Sequence, residues 1–122
     1  MDAARFRRIQ AAWESKPGRI MAANAESEAH LNALSNRFRM YVGGETLSEN
    51  VIALRRNPTA TSVFEEIIHT AQLRRGMSPK TDLIRMEIEA AEKLIRYRRA
   101  YGIPNTQTRQ TIERLLRLAE GK

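Results

Sequence analysis

From Pro58 to Pro104 the chain is broken only once, at Gly76-Met77-Ser78-Pro79, and that break sets what the sequence can fold into. Apolar residues recur at helical spacing on both sides: Val63, Phe64, Ile67, Ile68 and Ala71 before it, Ile84, Ile88, Ala91 and Ile95 after it. Gly76 suits a helix end, and Ser78-Pro79 a helix start with proline in the first turn. Two helices, over 60–75 and 78–101, joined by so short a connection must turn back on each other and pack antiparallel. Thr59 or Thr61 caps the first, and Gly102-Ile103-Pro104 stops the second. Asn105 or Thr106 then opens a last helix carrying Ile112, Leu115, Leu116 and Ala119.

The N-terminal half is less uniform. Phe6, Ile9 and Trp13 predict a helix over 3–15, ended by Lys16-Pro17-Gly18. Ile20, Met21, Ala25, Ala29, Leu31 and Leu34 predict a weaker helix over 20–34, with His30 on its surface. Phe38, Met40 and Val42 then alternate with Arg39 and Tyr41, which suits a short strand broken by Gly43-Gly44. Val51-Ile52-Ala53-Leu54 is a second strand, paired with the first as a hairpin across a long loop at 43–50. The expectation is an α+β fold: a mainly helical single domain over 1–122, with about five helices and a small β-hairpin before the motif helix. Its parts are N-terminal helices in 1–36, the hairpin in 37–56 and a three-helix motif region in 57–122.

The chain has no cysteine, which removes disulfides, a thiolate nucleophile and any Cys-based zinc site. A metal would have to be held by His, Asp and Glu. No apolar run reaches membrane-spanning length, and Arg5, Arg7 and Arg8 interrupt any signal-peptide core. As it stands the chain is expected to be soluble and cytoplasmic, or delivered into a target cell as part of a larger protein. The net charge is +7, carried by 17 Arg and 4 Lys. Arg74, Arg75, Arg96, Arg98 and Arg99 are the candidates for contact with nucleic-acid phosphates or an acidic protein partner. The same clusters also read as solvated helix faces.

The chemistry lies in Phe64-Glu65-Glu66-Ile67-Ile68-His69-Thr70-Ala71-Gln72. Glu65 and Glu66 precede His69 by four and three residues, so on a helix all three crowd one sector. On a helical wheel His69 sits between two carboxylate-bearing stripes, beside the apolar face. Glu87 falls inside the apolar sector of the next helix, where an unpaired carboxylate is costly. Antiparallel packing turns it toward Glu66 and His69. Glu66 and His69 are thus the candidate catalytic pair, and Glu65, His69 and Glu87 the candidate ligands of a divalent metal. A Glu87–His69 hydrogen bond pinning the two helices explains the same pattern without catalysis. Glu66-x-x-His69 also matches half of a ferritin-like di-iron motif, whose other half would have to come from a second copy.

The strand Val51–Leu54, then Asn57-Pro58, then a helix with Glu65-Glu66-Ile67-Ile68-His69 resembles the zincin metallopeptidase core, in which an edge strand precedes a helix carrying His-Glu-x-x-His. Glu65 stands where the first zinc-binding histidine would be. Glu66 matches the catalytic glutamate and His69 the second histidine. Glu87-Ile88-Glu89-Ala90 resembles a downstream acidic third-ligand motif. More broadly, Phe64–Gln72, Glu87–Ile95, Tyr101-Gly102-Ile103-Pro104 and Thr108/Thr111 resemble a C-terminal domain of bacterial polymorphic and prophage-associated toxins. The resemblance implies a toxin or effector of bacterial competition, a metal-dependent hydrolase of metallopeptidase type, and an acidic immunity or antitoxin protein as partner. With Glu65 in place of histidine, manganese or iron joins zinc as a candidate metal. Two other functions fit the residues: an Arg-rich toxin acting on nucleic acid through Glu66 and His69, and a non-enzymatic helical interaction module.

Overall fold

Four helix starts are fixed by a side chain that accepts a backbone N–H, which is how the orphan donors of a first turn are satisfied. Asp2 accepts from Ala4, Asn24 from Ser27, Thr59 from Ser62 and Ser78 from Lys80. The computed structural model describes residues 1–121. Among them the order is α1 (Ala3–Glu14), β1 (Ile20–Ala22), α2 (Ala25–Phe38), β2 (Gly44–Ser48), β3 (Val51–Leu54), α3 (Ala60–Arg74), α4 (Pro79–Arg96) and α5 (Asn105–Glu120). The fold class is the expected one, α+β and mainly helical. Among the described residues no helix is long and apolar enough to cross a membrane.

The three strands form one mixed sheet in the order β1-β3-β2. β1 runs parallel to β3, with Met21 opposite Ile52. β2 runs antiparallel to β3, with Thr46 opposite Ile52 and Gly44 opposite Leu54. Alternation along the strands turns Ile52 and Leu54 toward α1 and α3, and Ala53 toward α2.

Several sequence expectations need correction. Ile20 and Met21 do not open the second helix; they form β1, and the helix starts at Ala25 on an Asn24–Ser27 capping box. That helix runs on to Phe38 and closes on Arg39, a non-glycine residue in the left-handed conformation at φ 54°. The expected strand at Phe38–Val42 is therefore a helix end and a connection. The hairpin exists, but its first strand is Gly44–Ser48 and its turn is short. α4 ends at Arg96, not near Tyr101. Its buried face is Met86, Ala90, Ala91 and Leu94, while Ile84 is 54% exposed. Ala90 packs with Ala60 and Ile68 of α3. α5 begins at Pro104 with no side-chain cap, so neither Asn105 nor Thr106 plays that part.

Two apolar clusters meet on α3. Val63 joins Phe6, Trp13, Met21, Ile52 and Leu54 on the sheet side. Ala60 and Ile68 join Ala90, Leu94 and Ile103 on the α4 side. Every residue from Ala60 to Leu73 is buried or half-buried, so α3 has no fully solvated face. Leu54 is wholly buried in the first cluster. Leu54→Ala should cost about 2–5 kcal/mol in lost transfer and cavity energy. Urea denaturation should show this as a lower midpoint with an unchanged slope.

Candidate metal and acid–base site

The site depends on a strand lying unusually close to α3. A Cβ at Gly44 would stand 3.0 Å from Glu66 Cγ and 3.0 Å from Leu54 Cδ2, and one at Gly43 would stand 2.6 Å from Ser62 Oγ. The two glycines read from sequence as a break are thus the condition for close approach. Across the gap Thr46 Oγ1 donates to Glu66 Oε1 at 2.9 Å.

His69 is held in one orientation by its neighbours. Gln72 is fully buried, and its Nε2 donates to the Met86 carbonyl at 3.0 Å and to Glu89 Oε1 at 2.8 Å. That leaves Gln72 Oε1 facing His69 Nδ1 at 2.8 Å, so Nδ1 carries hydrogen and donates. His69 Nε2 then faces Glu87 Oε1 at 3.5 Å and Glu65 Oε2 at 3.8 Å. Arg75 anchors the far end of the chain of contacts through Glu89, at 2.8 and 3.0 Å. Metal-ligating histidines are commonly oriented in this way, through the ring nitrogen that does not bind the ion.

One ligand atom from each of Glu65, His69 and Glu87 lies within 4.8 Å of the others, a spacing a single cation can bridge. Arg114, from α5, donates through Nη1 to Glu65 Oε2 at 2.9 Å. Burial alone would push the Glu65 carboxyl up, but the adjacent His69 imidazole, 3.8 Å away, and the charge of Arg114 outweigh it and hold it below the usual range. Glu66 is pushed up to about 8, first by burial and then by the charge of Glu65. Glu87 is raised by burial, with His69 working against the rise. Burial works to lower His69, yet the nearby Glu65 carboxylate, the hydrogen bond to Gln72 and the charges of Glu66 and Glu87 raise it to about 9. Two of the four groups, Glu66 and Glu87, are thus driven toward the neutral form, chiefly by burial.

These groups line a cleft of about 440 Å³ whose rim includes Met40, Tyr41 and Leu83, all exposed. Glu65, Glu66, His69 and Glu87 are brought together there, with Glu87 near His69 as the antiparallel helix pair requires. The five arginines singled out from sequence are not gathered on one surface. Arg74 donates to the Glu49 carbonyl and Arg75 is engaged by Glu89, both near the α3–α4 turn. Arg98 donates to the Ile95 carbonyl at 2.7 Å, and Arg96 and Arg99 are exposed. These three lie at the other end of α4, whose 18 residues span about 27 Å. His30 is a surface residue, paired with Glu45 across α2 and β2.

Four contributors were not assigned from sequence: Thr46, Gln72, Glu89 and Arg114. Gln72 carried a usable signal, since three residues past His69 is contact distance on a helix. Arg114 carried none, because its place depends on how α5 packs. Comparison of the chain with protein-family models, curated proteins and solved structures finds no match.

Proposed function

We propose that this domain is a metal-dependent hydrolase of zincin-like type, acting as a bacterial toxin or effector. The observation that carries the proposal is the convergence of Glu65, His69 and Glu87 within 4.8 Å at the base of an open cleft, with Glu66 beside them. Glu66 and Glu87 both hold protons more tightly than usual, chiefly because they are buried, and a divalent cation beside them would favour their ionised forms. Two carboxylates and one imidazole suit zinc, manganese or iron.

A cation at these ligands would lower the pKa of a coordinated water and polarise a substrate carbonyl. Glu66 is the base: it takes the proton from the attacking water and returns it to the leaving group. In the metal-free site Glu66 is largely protonated at neutral pH; added positive charge nearby favours its ionised form. Thr46 holds the Glu66 carboxyl in place, and Gln72 keeps the Nε2 lone pair of His69 turned to the ligand position. The exposed apolar rim of Met40, Tyr41 and Leu83 suits the side chains of a peptide. An acidic immunity or antitoxin protein is the partner that a net charge of +7 favours.

Elemental analysis of untagged protein should find about one divalent ion per chain, as the one three-ligand group among the described residues requires. Binding must displace a proton from His69, whose pKa is about 9. Zinc affinity should therefore rise by up to about tenfold per pH unit from pH 6 and level off near pH 9. A pH-independent affinity, or no metal at any pH, would rule the site out.

A further inference from the structure

We propose that the cationic groove beside the metal cluster is a subsite for a carboxylate on the substrate, held by Arg114 and Arg117. The proposal deepens the hydrolase assignment and rests on it for the word substrate. A second cleft, of about 320 Å³, shares Tyr41, Gly43, Ser62, Glu65 and Arg114 with the first, so the two are continuous. Arg114 stands at the junction and lines both.

The guanidinium of Arg114 is only partly used. Nη1 is engaged by Glu65, but Nε and Nη2 are buried and without a partner among the described residues. A buried charged donor left unsatisfied is unfavourable and rare. Nε and Nη2 form one edge of the planar group, the edge that takes a carboxylate through two parallel hydrogen bonds. Arg117 lies one turn further along α5, lines the same second cleft and is exposed. Among the described residues Glu65 is the only carboxylate lining that cleft, and Arg114 already engages it. The groove therefore carries surplus positive charge and an unfilled two-pronged donor next to the reacting position. Because that edge is buried, a ligand reaches it only after side chains on the cleft shift, and Gln110 and Arg117 are exposed there.

The chemistry is shared by an Asp or Glu side chain and by the C-terminal end of a peptide, and the probes separate them. N-acetyl-aspartate amide offers only a side-chain carboxylate, N-acetyl-glycine only a terminal one, and N-acetyl-asparagine amide neither. Each is titrated into the full chain, with and without zinc, while the Nε–H resonance of Arg114 is followed by NMR. A carboxylate probe should move that resonance and the asparagine control should not. Arg114→Lys keeps a cation for Glu65 but lacks the fork, and Arg117→Gln removes a charge from an exposed position; each should weaken binding by about tenfold or more. A zinc-loaded digest of mixed peptides should be enriched in cuts at a fixed distance from an acidic residue or a chain end, and Arg117→Gln should reduce that preference over neutral sites. An unmoved Arg114 resonance, or equal movement by the neutral control, overturns the subsite. Carboxylate binding without any hydrolysis upholds it and counts against the hydrolase assignment alone.

Discussion

Glu66→Gln should leave a folded, metal-binding protein whose hydrolytic rate has fallen by about 10²-fold or more. Glutamine matches glutamate in size and keeps an oxygen to accept from Thr46, which now bonds Glu66 at 2.9 Å. It cannot take a proton from water. Glu66 is buried and largely protonated at neutral pH in the metal-free protein, so the neutral amide replaces a mostly neutral acid. Stability should change by no more than about 1 kcal/mol. Growth inhibition on expression in bacteria, beside thermal melts and metal content, separates the outcomes. Undiminished toxicity in a folded Glu66→Gln protein sinks the hydrolytic mechanism and favours an interaction module.

His69→Ala should abolish bound metal and activity together. It removes the one nitrogen donor of the ligand group. It also leaves Gln72 Oε1 without its partner in a fully buried position, at a cost of about 1–3 kcal/mol. The melting temperature should drop, and adding zinc should no longer raise it. In the parent protein zinc at 100 times its dissociation constant should stabilise by about 2.7 kcal/mol. A His69→Ala protein that still takes up one zinc with parental affinity would remove His69 from the ligand set. The two variants differ in kind: one keeps the metal and loses the chemistry, and the other loses both.

The helical region was legible because its signals are local. Gly76, Ser78-Pro79 and the 3.6-residue recurrence of apolar residues each act within a turn or two, and together they set α3 against α4. That was enough to bring Glu87 to His69. β1 was not legible. Its three residues are too few to show a period, and it is a strand only because β3, thirty residues on, pairs with it. The end of α2 was missed because Arg39 adopts the left-handed conformation where glycine or asparagine is the usual signal. The rotated face of α4 has a similar origin. Ile84 is the stronger hydrophobe, but packing against α3 and α5 buries Ala90, Ala91 and Leu94 and leaves Ile84 exposed. In the site, side chains on one helix or on its antiparallel neighbour could be found by spacing. Thr46 and Arg114 reach it from β2 and α5 and depend on tertiary packing alone.

The enclosure of α3 has a consequence for how the domain fluctuates. A helix packed against the sheet and α4, and open only along the cleft at Ser62, Glu65, Glu66 and His69, has few ways to loosen by itself. Most of its amides should open only together with the elements packed on it. Glu65 and His69 thus sit on a segment that loosens with its neighbours, while Glu87 sits on the more exposed α4. Retention of an ion there would then depend on the fold as a whole, and a mutation in the distant Trp13–Leu54 cluster should shorten it without touching a ligand.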